Sequence, residues 1–551
     1  MVFISLISYL ISIITVYFVI LGFGSLVKNF FYKDFFFKFL SGYFFIGLIS
    51  LFLNFFVPIS TLVSLSIIVL GIILFLINFK NFDKKETLSL LLIYIAFSII
   101  LILYTEHPID TNMYHHPFVS YLNAEKIIFG IANVQFRFGH ISFLQYVQAI
   151  LTNDYFHILN LSAPNIILYV SFIYFCAKKI LSFKDVNFIS LLIVILSSFL
   201  LIKYGRYREF GNDIIPMLVS FYALIKIVEE ILLNKKTNLI LFNLAPLYGI
   251  FIFAHKISYI FSVLIFLVLI NFKKLNLKIF NSRIMIIFFI FSFLWLIKNY
   301  INSTCLIYPI AFTCFENTNW SLGFKSTVAS VSYLTELWSK AFIANPDWQS
   351  LNLLEYMKNF NWVENWLNSH FIKILEKLSP VFSALLIIFS LGFIFKQKKI
   401  EIFNYSKLYF VIFFIFVGLV IWFIKAPLFR YGAFYVVSFI SLIFLVLYSY
   451  FFGFNKKFKK DYLNYLFLFS LVFFIFKNIN RIIKSDSDFF PKTIFEFNDK
   501  SGIFEFYELK NIKILHPSGG RLCRYSYYVC SHEVPQNIKV IEYGNYLITK
   551  Y

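Results

Sequence analysis

Long apolar runs separated by short charged connections dominate this chain and constrain its fold more than any other feature. Phe alone accounts for 77 of the 551 residues, as many as Lys and Arg (49) and Asp and Glu (28) together. Hydrophobic residues make up 60% of the chain and charged residues 14%, whereas soluble domains carry about 45–50% and roughly 25%. Because the core of a soluble globule cannot hide so much apolar surface, we predict an all-α polytopic membrane protein.

The number of crossings follows from the length of the runs. A helix needs about 20 apolar residues to cross roughly 30 Å of hydrocarbon, and fourteen runs approach that length, so about 14 transmembrane helices are expected. The runs cover residues 3–27, 39–57, 58–79, 87–104, 156–177, 187–203, 213–233, 239–254, 256–271, 284–300, 374–395, 408–424, 431–452 and 461–477. No small-residue cleavage site follows the first run, which is therefore expected to be a retained span.

Lysine clusters orient the predicted helices. They recur in alternate connections, for example at Lys178 and Lys179, at Lys273 and Lys274 and around residues 456–460. The positive-inside rule places these connections in the cytoplasm, where they face anionic lipid headgroups and account for the net charge of +21. We expect a multi-pass protein of the cytoplasmic (inner) membrane with both termini extracytoplasmic, membrane lipids as partners and no nucleic acid.

Two regions are expected from the change in composition along the chain. Residues 1–480 form the transmembrane domain, with outer loops at 105–155 and 301–373, and residues 481–551 form a small extracytoplasmic α/β or β domain with a hairpin about residues 543–545. Two close cysteine pairs lie in the predicted outer segments and suggest two local disulfides, with other pairings and free thiols left open. The pairs are Cys305 with Cys314 and Cys523 with Cys530.

The first outer loop holds the densest polar chemistry. Glu106, Asp110 and Tyr114 are spaced four apart, so a helix beginning near here would place them on one face. His115, His116 and a proline follow directly. One interpretation is an interfacial lid with solvated charges, and the other is an acid held at the mouth of a lipid-facing cavity.

Basic residues at other outer turns favour the second interpretation. Arg206 and Asp213 lie between the sixth and seventh runs, Lys256 lies between the eighth and ninth, and Lys425 and Arg430 lie between the twelfth and thirteenth. The four basic residues in these turns run against the positive-inside bias. A negatively charged ligand on that face, with a phosphate as the obvious candidate, would explain them.

Several other kinds of site are not indicated. Adjacent His115 and His116 point to different faces of a helix and cannot chelate zinc as an i, i+4 pair does, so no metal ligands are assigned. The sequence has no Walker A motif, dinucleotide glycine fingerprint or G-x-S-x-G elbow. The runs also lack central acids of the kind that ion-coupled transporters carry, which counts against bulk transport.

Three segments resemble the GT-C class of membrane glycosyltransferases. The first is Asp110-Thr-Asn-Met-Tyr-His-His-Pro117, an acid in the first large outer loop followed by Tyr-His and Pro. The second is KNYINSTCLIYP, which ends at Pro309, and the third is KAPLFRYG, which is similar to a turn in bacterial members from surface-polysaccharide loci. The chain departs from the class in having a lone Asp110 between Ile109 and Thr111, where many members have paired acids.

The resemblance implies a function and a set of site residues. It implies an inverting glycosyltransferase that moves a sugar from a polyprenyl-phosphate donor to a glycan or lipid acceptor on the outer face of the membrane. Catalytic roles fall to Asp110 as general base and to Glu106 as a secondary acid. The residues that would bind substrate or phosphate are Arg430, Lys425, His116, Tyr114, Lys256, Arg206 and Asp213. No cofactor is assigned, and a divalent cation is left open.

Two other functions remain open from the sequence. One is a surface-glycan polymerase or ligase, or a lipid-linked sugar flippase, which would share the lipid-phosphate ligand but not the chemistry. The other is a membrane scaffold that kept the fold without activity. Loss of activity with intact folding on Asp110→Asn would separate the enzyme from the scaffold, and a flippase would tolerate that substitution.

Overall fold

The protein is described here by a computed structural model. Its described residues are 2–27, 34–105, 109–203, 211–233, 238–269, 282–321, 325–344, 352–395, 406–453, 461–486, 488–490, 504–509, 512–517, 523, 525, 529–532, 539–543 and 546–550. Helices dominate from the start of the chain to residue 483, and short strands occupy the C-terminal region.

The first half of the chain alternates long helices with one large connecting segment. Four helices lead, namely α1 (Val2–Gly24), α2 (Phe35–Asn54), α3 (Thr61–Asn78) and α4 (Lys84–Ile102). The connecting segment holds a π-helical turn (Thr111–His115), α5 (His116–Ala124), α6 (Phe143–Ile150) and the 3₁₀ segments Ile131–Asn133, Phe136–His140 and Ile158–Ser162. Next come α7 (Ala163–Ser182), α8 (Phe188–Ile202), α9 (Ile214–Leu233), α10 (Asn238–His255), a 3₁₀ helix (Ile257–Leu269) and α11 (Ser282–Ser303).

The second half repeats this arrangement with a second connecting segment. That segment contains α12 (Lys325–Ser339), α13 (Leu353–Met357), α14 (Trp362–Trp366) and a π-helical turn (Leu367–Phe371). Four long helices follow, α15 (Ile372–Ile394), α16 (Ser406–Lys425), α17 (Phe429–Phe452) and α18 (Asp461–Ile483). The order of long helices and connecting segments is the one that the apolar runs predict.

The helices have the length and composition of membrane spans. Within the described part of the chain, nine helices are long and apolar enough to cross a bilayer, and four shorter apolar helices accompany them. Each of the fourteen predicted runs coincides with a helix, including the 13-residue 3₁₀ helix Ile257–Leu269. At about 2.0 Å per residue, that 3₁₀ helix rises nearly the thickness of the hydrocarbon core. A multi-pass membrane protein is therefore supported, while the count of fourteen crossings stays a prediction.

Glycines let the first three helices pack backbone against backbone. A Cβ added at Gly22 of α1 would lie 1.9 Å from the carbonyl oxygen of Gly71 in α3, and one added at Gly42 of α2 would lie 1.8 Å from that of Ile20. Real side chains never approach so closely. Helices in a membrane commonly associate through small residues that allow close packing. They depend on such packing because the hydrophobic effect does not drive helices together within lipid.

The C-terminal region is built from short strands, as its composition predicts. β1 (Phe504–Leu509) pairs antiparallel with β2 (Ile512–Pro517), which pairs parallel with β3 (Val529–Cys530). β4 (Lys539–Tyr543) and β5 (Tyr546–Lys550) form the predicted hairpin, with Tyr543 opposite Tyr546. Both predicted disulfides, Cys305–Cys314 and Cys523–Cys530, are present.

The strand region packs directly on the first connecting segment. Phe129 N–H donates to Leu547 O and Thr549 N–H donates to Phe129 O, both over 2.9 Å, so the segment extends the hairpin by one bridge. On the β3 side, Ser531 Oγ donates to Val134 O over 2.9 Å. The two regions therefore share backbone hydrogen bonds and do not merely touch.

The predicted outer segments gather at one end of the helix bundle. Gly130 N–H in the first segment donates to Ile301 O at the end of α11, and Asn133 Nδ2 donates to Trp320 O in the second segment. The other end carries ion pairs that join Lys178 to Glu86, Lys179 to Glu229 and Lys226 to Asp34. Which end faces the outside of the cell stays a prediction.

Candidate functional site

A widened helical turn carries the acid that the sequence singles out. Ile109 and Asp110 are helical, and the helix continues as a π-helix over Thr111–His115, where the N–H of His116 donates to the carbonyl of Thr111 five residues earlier. The i→i+5 spacing brings Asp110 onto the same side as Tyr114 and His115. Single π turns of this kind often occur at functional sites.

Pro117 accounts for the irregular hydrogen bonding of this turn. Proline has no N–H, so the carbonyl of Met113 loses its α-helical donor and the carbonyl of Asn112 loses its π-helical donor. Both carbonyls find donors elsewhere in the chain. Cys523 N–H donates to Asn112 O over 2.9 Å, and Gln135 Nε2 donates to Met113 O over 3.4 Å. The disulfide-linked C-terminal region thus supports the turn that presents Asp110.

Asp110 meets Arg430 at the start of α17. Arg430 Nη1 donates to Asp110 Oδ2 over 3.4 Å, and the two side chains are 17% and 40% exposed, respectively. The pair is therefore reachable from solvent on the carboxylate side. Its length shows a loose contact, since charge-assisted N–H···O bonds are ordinarily about 2.7–2.9 Å long.

Aromatic side chains hold the Arg430 guanidinium in place. Its Cζ lies 4.9 Å from the ring centroid of Tyr431 and 5.2 Å from that of Trp338 in α12, and Nη2 donates to the Tyr431 hydroxyl over 3.0 Å. No described residue accepts a hydrogen bond from the buried Nε. An unpaired buried donor on a guanidinium calls for an explanation, and an anionic ligand would supply one.

A second ion pair lies next to the first. Lys256, between α10 and the 3₁₀ helix, binds the carboxylate of Asp213, which directly precedes α9. These side chains are only 16% and 8% exposed. The Lys256 ammonium also lies 4.2 Å from the centroid of the Tyr431 ring. Tyr431 therefore contacts the cations of both pairs.

His115 lies between the two pairs as a neutral donor. Its Nδ1 is 3.0 Å from Gln145 Nε2, and the oxygen of that amide is already fixed by the backbone N–H of Ser142. Gln145 must therefore donate to Nδ1, which leaves the proton of neutral His115 on Nε2. Burial lowers the pKa of His115 to about 4, against the opposing effect of Asp110 and Asp213.

Tyr114 is a protonated neighbour of the same cluster. Burial raises the pKa of its hydroxyl, and the negative charge of Asp110 raises it further. Arg137 lies over the ring of Tyr114 at 5.8 Å and brings a further cation to this end of the bundle. The hydroxyl is thus a hydrogen-bond donor at neutral pH and not a phenolate.

The structure brings together five of the residues predicted from sequence. Asp110, Tyr114, Asp213, Lys256 and Arg430 form the cluster. His116 is 1% exposed, and its Nδ1 lies 3.1 Å from Asn112 Oδ1. Lys425 is 69% exposed and lies 3.7 Å from Glu336. Glu106 and Arg206 lie outside the described residues.

Sequence reasoning missed three contributors to the cluster. His115 was considered only as a zinc ligand, and its neighbour His116 was assigned to the phosphate site instead, because the π turn that carries His115 has no clear signature in a single sequence. Tyr431 directly follows Arg430 in the KAPLFRYG segment, so its place near the guanidinium could have been predicted from the sequence. Trp338 is far from Arg430 in the sequence and approaches it only through the packing of α12. Its contact could therefore not be predicted from the sequence.

The cluster combines two carboxylates, two cations and aromatic walls at the end of a helix bundle. A half-exposed carboxylate can accept a proton, and fixed cations can stabilise a phosphate. Asp110 and Asp213 are the carboxylates of the cluster that could serve as ligands of a divalent cation. Across the described residues, however, no three His, Cys, Asp or Glu side chains come together as a metal-binding group.

Comparison with known proteins identifies a family without an assigned function. Neither the curated proteins nor the solved structures contain a significant match to this chain. One family model matches residues 6–437, which include both ion pairs and exclude the C-terminal strands. The chain belongs to the family described as a domain of unknown function (DUF8201).

Proposed function

We propose that this protein is an inverting membrane glycosyltransferase of the GT-C type, which transfers a sugar from a polyprenyl-phosphate donor to a glycan or lipid acceptor on the outer face of the cytoplasmic membrane. The observation that carries the proposal is the loose Asp110–Arg430 pair, 3.4 Å long and 40% exposed on its carboxylate. It sets a base next to a phosphate-binding group at the end of apolar helices.

The position of the pair suits a lipid-linked substrate. Arg430 occupies the first turn of α17, a helix apolar enough to cross the membrane, and Asp110 lies in the segment that follows α4. A polyprenyl chain is too apolar to leave the bilayer, so its phosphate must react at the level of the headgroups. The proposal is supported by the place of both groups at the ends of helices that are long and apolar enough to cross a membrane.

Arg430 is suited to receive the donor phosphate. No described residue accepts a hydrogen bond from its Nε, and its contact to Asp110 is long, so a phosphate would supply acceptors that the described residues do not. Guanidinium binds phosphate bidentately. Lys256 lies on the other side of the Tyr431 ring. Its positive charge would help to stabilise the negative charge that develops on the leaving phosphate.

Capture of Arg430 by phosphate would release Asp110 for catalysis. The acceptor hydroxyl then loses its proton to the Asp110 carboxylate while its oxygen bonds to the anomeric carbon. The bond between that carbon and the phosphate oxygen breaks, and its electron pair leaves with the polyprenyl phosphate. A positioned base of this kind contributes about 10²–10⁴-fold to the rate. Asp213 takes no proton in this scheme and holds Lys256.

The test measures sugar transfer in reconstituted membranes. Proteoliposomes receive a panel of short-chain polyprenyl-phosphate sugars, and release of polyprenyl phosphate is followed with a glycolipid acceptor mixture. Asp110→Asn should lower release by about 10²–10⁴-fold. Asp154→Asn is the matched control, since Asp154 is an exposed acid of the same segment that bonds to Thr61.

The outcomes separate the enzyme from the other candidate functions. Equal release by Asp110→Asn and the parent protein, both correctly folded, would contradict the proposal. A flippase would keep its activity in Asp110→Asn, as shown by accessibility of the lipid-linked sugar on the opposite face of the vesicle. A scaffold would release no polyprenyl phosphate in either form.

A further inference from the structure

A disulfide closes a short apolar loop directly after α11. The bond joins Cys305 to Cys314 and encloses the sequence Leu-Ile-Tyr-Pro-Ile-Ala-Phe-Thr, and Phe315 follows it. We call residues 305–315 the disulfide loop. No charged residue occurs between Lys298 and Glu316. Loops that run through water are ordinarily polar, so an uncharged segment of this length indicates an apolar environment on at least one side.

One side of the disulfide loop packs against protein. Tyr308 and both cysteines form a small buried cluster with Ala132 of the first connecting segment and Val328 of α12. A Cβ added at Gly139 would lie 2.7 Å from the ring of Tyr308, so the first connecting segment fits closely against this side. Both connecting segments therefore fix the position of the loop.

The other side of the disulfide loop is apolar and exposed. Phe312 is 84% exposed, and Leu306 and Phe315 are exposed as well. The disulfide holds these three large side chains on a short piece of chain. Exposed patches of large apolar side chains mark sites that contact proteins or membranes.

The exposed side of the loop continues an apolar stripe on α11, a helix apolar and long enough to cross a membrane. Ile286, Phe289 and Phe293 are exposed and recur three or four residues apart, as expected of a spanning helix with one face towards lipid. Tyr300 follows Phe293 on the same face after two turns. Its ring packs edge-on against the ring of Phe315, with 5.5 Å between the centroids. The stripe and the exposed side of the loop thus form one apolar surface.

The backbone of the disulfide loop finds several hydrogen-bond partners within the loop. Leu306 N–H donates to Thr313 O over 3.1 Å, and Ile310 N–H donates to Ile307 O over 2.7 Å. Ile307 N–H donates to Thr313 Oγ1 over 3.1 Å, and Pro309 has no N–H. Irregular backbone that enters the apolar part of a bilayer needs such internal partners, because water is absent there.

We infer that the disulfide loop inserts Phe312 and Phe315 into the bilayer leaflet at this end of the bundle, where headgroups meet acyl chains. Lipid is the partner because the exposed side of the loop is continuous with the apolar stripe of α11. Interfacial elements bury their apolar face about 5–10 Å into this boundary. The inference does not depend on the glycosyltransferase function.

Photo-crosslinking of the full chain in phosphatidylcholine nanodiscs tests this inference. The photoreactive amino acid p-benzoylphenylalanine replaces Phe312, Phe293 or Glu542 in separate proteins, and mass spectrometry identifies the products. The probe at Phe312 should form lipid adducts, as should the probe at Phe293 in the stripe of α11. Glu542 is an exposed, charged position on β4, and the probe there should form few lipid adducts.

Substitutions at the tip of the loop should change its insertion. With the probe at Phe315, Phe312→Asp should lower the yield of lipid adducts by about tenfold, because burial of one phenylalanine side chain favours insertion by about that factor. Phe312→Leu keeps an apolar side chain and should retain most of the yield. Asn317→Asp adds the same charge at an exposed position just beyond the loop and should leave the yield unchanged.

Three results would overturn the inference. One is a yield of lipid adducts at Phe312 no higher than at Glu542. Another is a crosslink from Phe312 to a second copy of this chain in place of lipid, which would assign the exposed side to a protein interface. The third is an unchanged yield at Phe315 in Phe312→Asp, in a protein that elutes as the parent does.

Discussion

Arg430 donates a hydrogen bond to Asp110 across 320 positions of the chain and joins the first turn of α17 to the π turn that follows α4. In this pair, Asp110 engages the guanidinium that the phosphate of the proposed substrate would bind, and Arg430 engages the carboxylate that would act as the base. The carboxylate cannot act freely as a base while it neutralises the guanidinium, and the guanidinium is not free for phosphate. A ligand that takes Arg430 would activate Asp110 in the same step.

Arg430 should determine the affinity for polyprenyl phosphate. Arg430→Gln removes charge-assisted hydrogen bonds worth about 1.5–3 kcal/mol and should weaken binding by about 10- to 100-fold. Arg430→Lys keeps the charge but loses the bidentate geometry. Its affinity for polyprenyl phosphate should therefore lie between that of the parent protein and that of Arg430→Gln. Tryptophan fluorescence is the readout, because Trp338 lies 5.2 Å from the guanidinium.

Lys425→Gln is the matched control for these variants. Lys425 ends α16 at the same turn as Arg430, yet it is 69% exposed and faces Glu336. Its loss should change the affinity by less than about fivefold, since an exposed ion pair contributes about 0–1 kcal/mol. If Arg430→Gln and Lys425→Gln lost the same amount of affinity for polyprenyl phosphate, the effect would come from the overall positive charge and not from a phosphate site at Arg430.

Pro117 should maintain the register of the turn that presents Asp110. Pro117→Ala restores an N–H for the carbonyl of Met113 or Asn112, so the helix can relax towards α geometry and rotate Asp110 away from Arg430. A displacement of about 1 Å can cost about 10²-fold in rate, and we expect a loss of that order in polyprenyl phosphate release without a lower melting temperature.

The control for this substitution is Pro164→Ala. Pro164 stands in the first turn of α7, the same helical position that Pro117 has in α5. It should leave the release rate unchanged. If Pro117→Ala retains full activity, the π turn does not position the acid.

The Lys256–Asp213 pair should contribute to stability through mutual neutralisation. Both side chains are largely buried, and removal of one partner from a buried pair costs about 3–5 kcal/mol. Asp213→Asn and Lys256→Met should each lower the midpoint of thermal unfolding in detergent. The double variant should recover much of the loss because no uncompensated charge remains. Strictly additive losses would show that the two residues are not coupled.

His115 should make the folded state sensitive to acid. Burial lowers its pKa from 6.5 to about 4, so between these values the unfolded chain binds a proton that the folded chain does not. Stability from this group is greatest above about pH 6.5 and falls as the pH drops towards 4.

Comparison of the parent protein with His115→Gln isolates this contribution. The unfolding midpoint is measured at pH 7.5 and at pH 5 in each protein. The loss of stability between pH 7.5 and pH 5 should be smaller in the variant than in the parent protein. An identical loss would contradict the assignment of a buried, neutral His115.

The helices were predictable because bilayer thickness sets a minimum length that apolar runs reveal directly. The positions of the long helices, the C-terminal hairpin and both disulfides agree with the sequence-based expectations. The 3₁₀ form of Ile257–Leu269 was not predictable, since an apolar run fits either helix. The backbone bridge between Phe129 and Ile548 depends on tertiary packing alone.

The site was predictable as a set of residues but not as a set of contacts. Charge bias indicated which turns carry unusual cations, and this brought Lys256 and Arg430 into consideration. It could not show that Asp213 pairs with one and Asp110 with the other. The choice between His115 and His116 depends on a π turn, whose widened register changes which of two neighbours faces the cluster.

The affinity of Asp110→Asn for polyprenyl phosphate reports whether Asp110 competes with the phosphate for Arg430. An amide carries no charge to neutralise the guanidinium, so Asp110→Asn should bind short-chain polyprenyl phosphate more tightly than the parent protein. The gain should be about two- to fivefold, which corresponds to an exposed ion pair worth up to about 1 kcal/mol. Weaker binding by Asp110→Asn, in a protein that elutes and melts like the parent, would contradict the account.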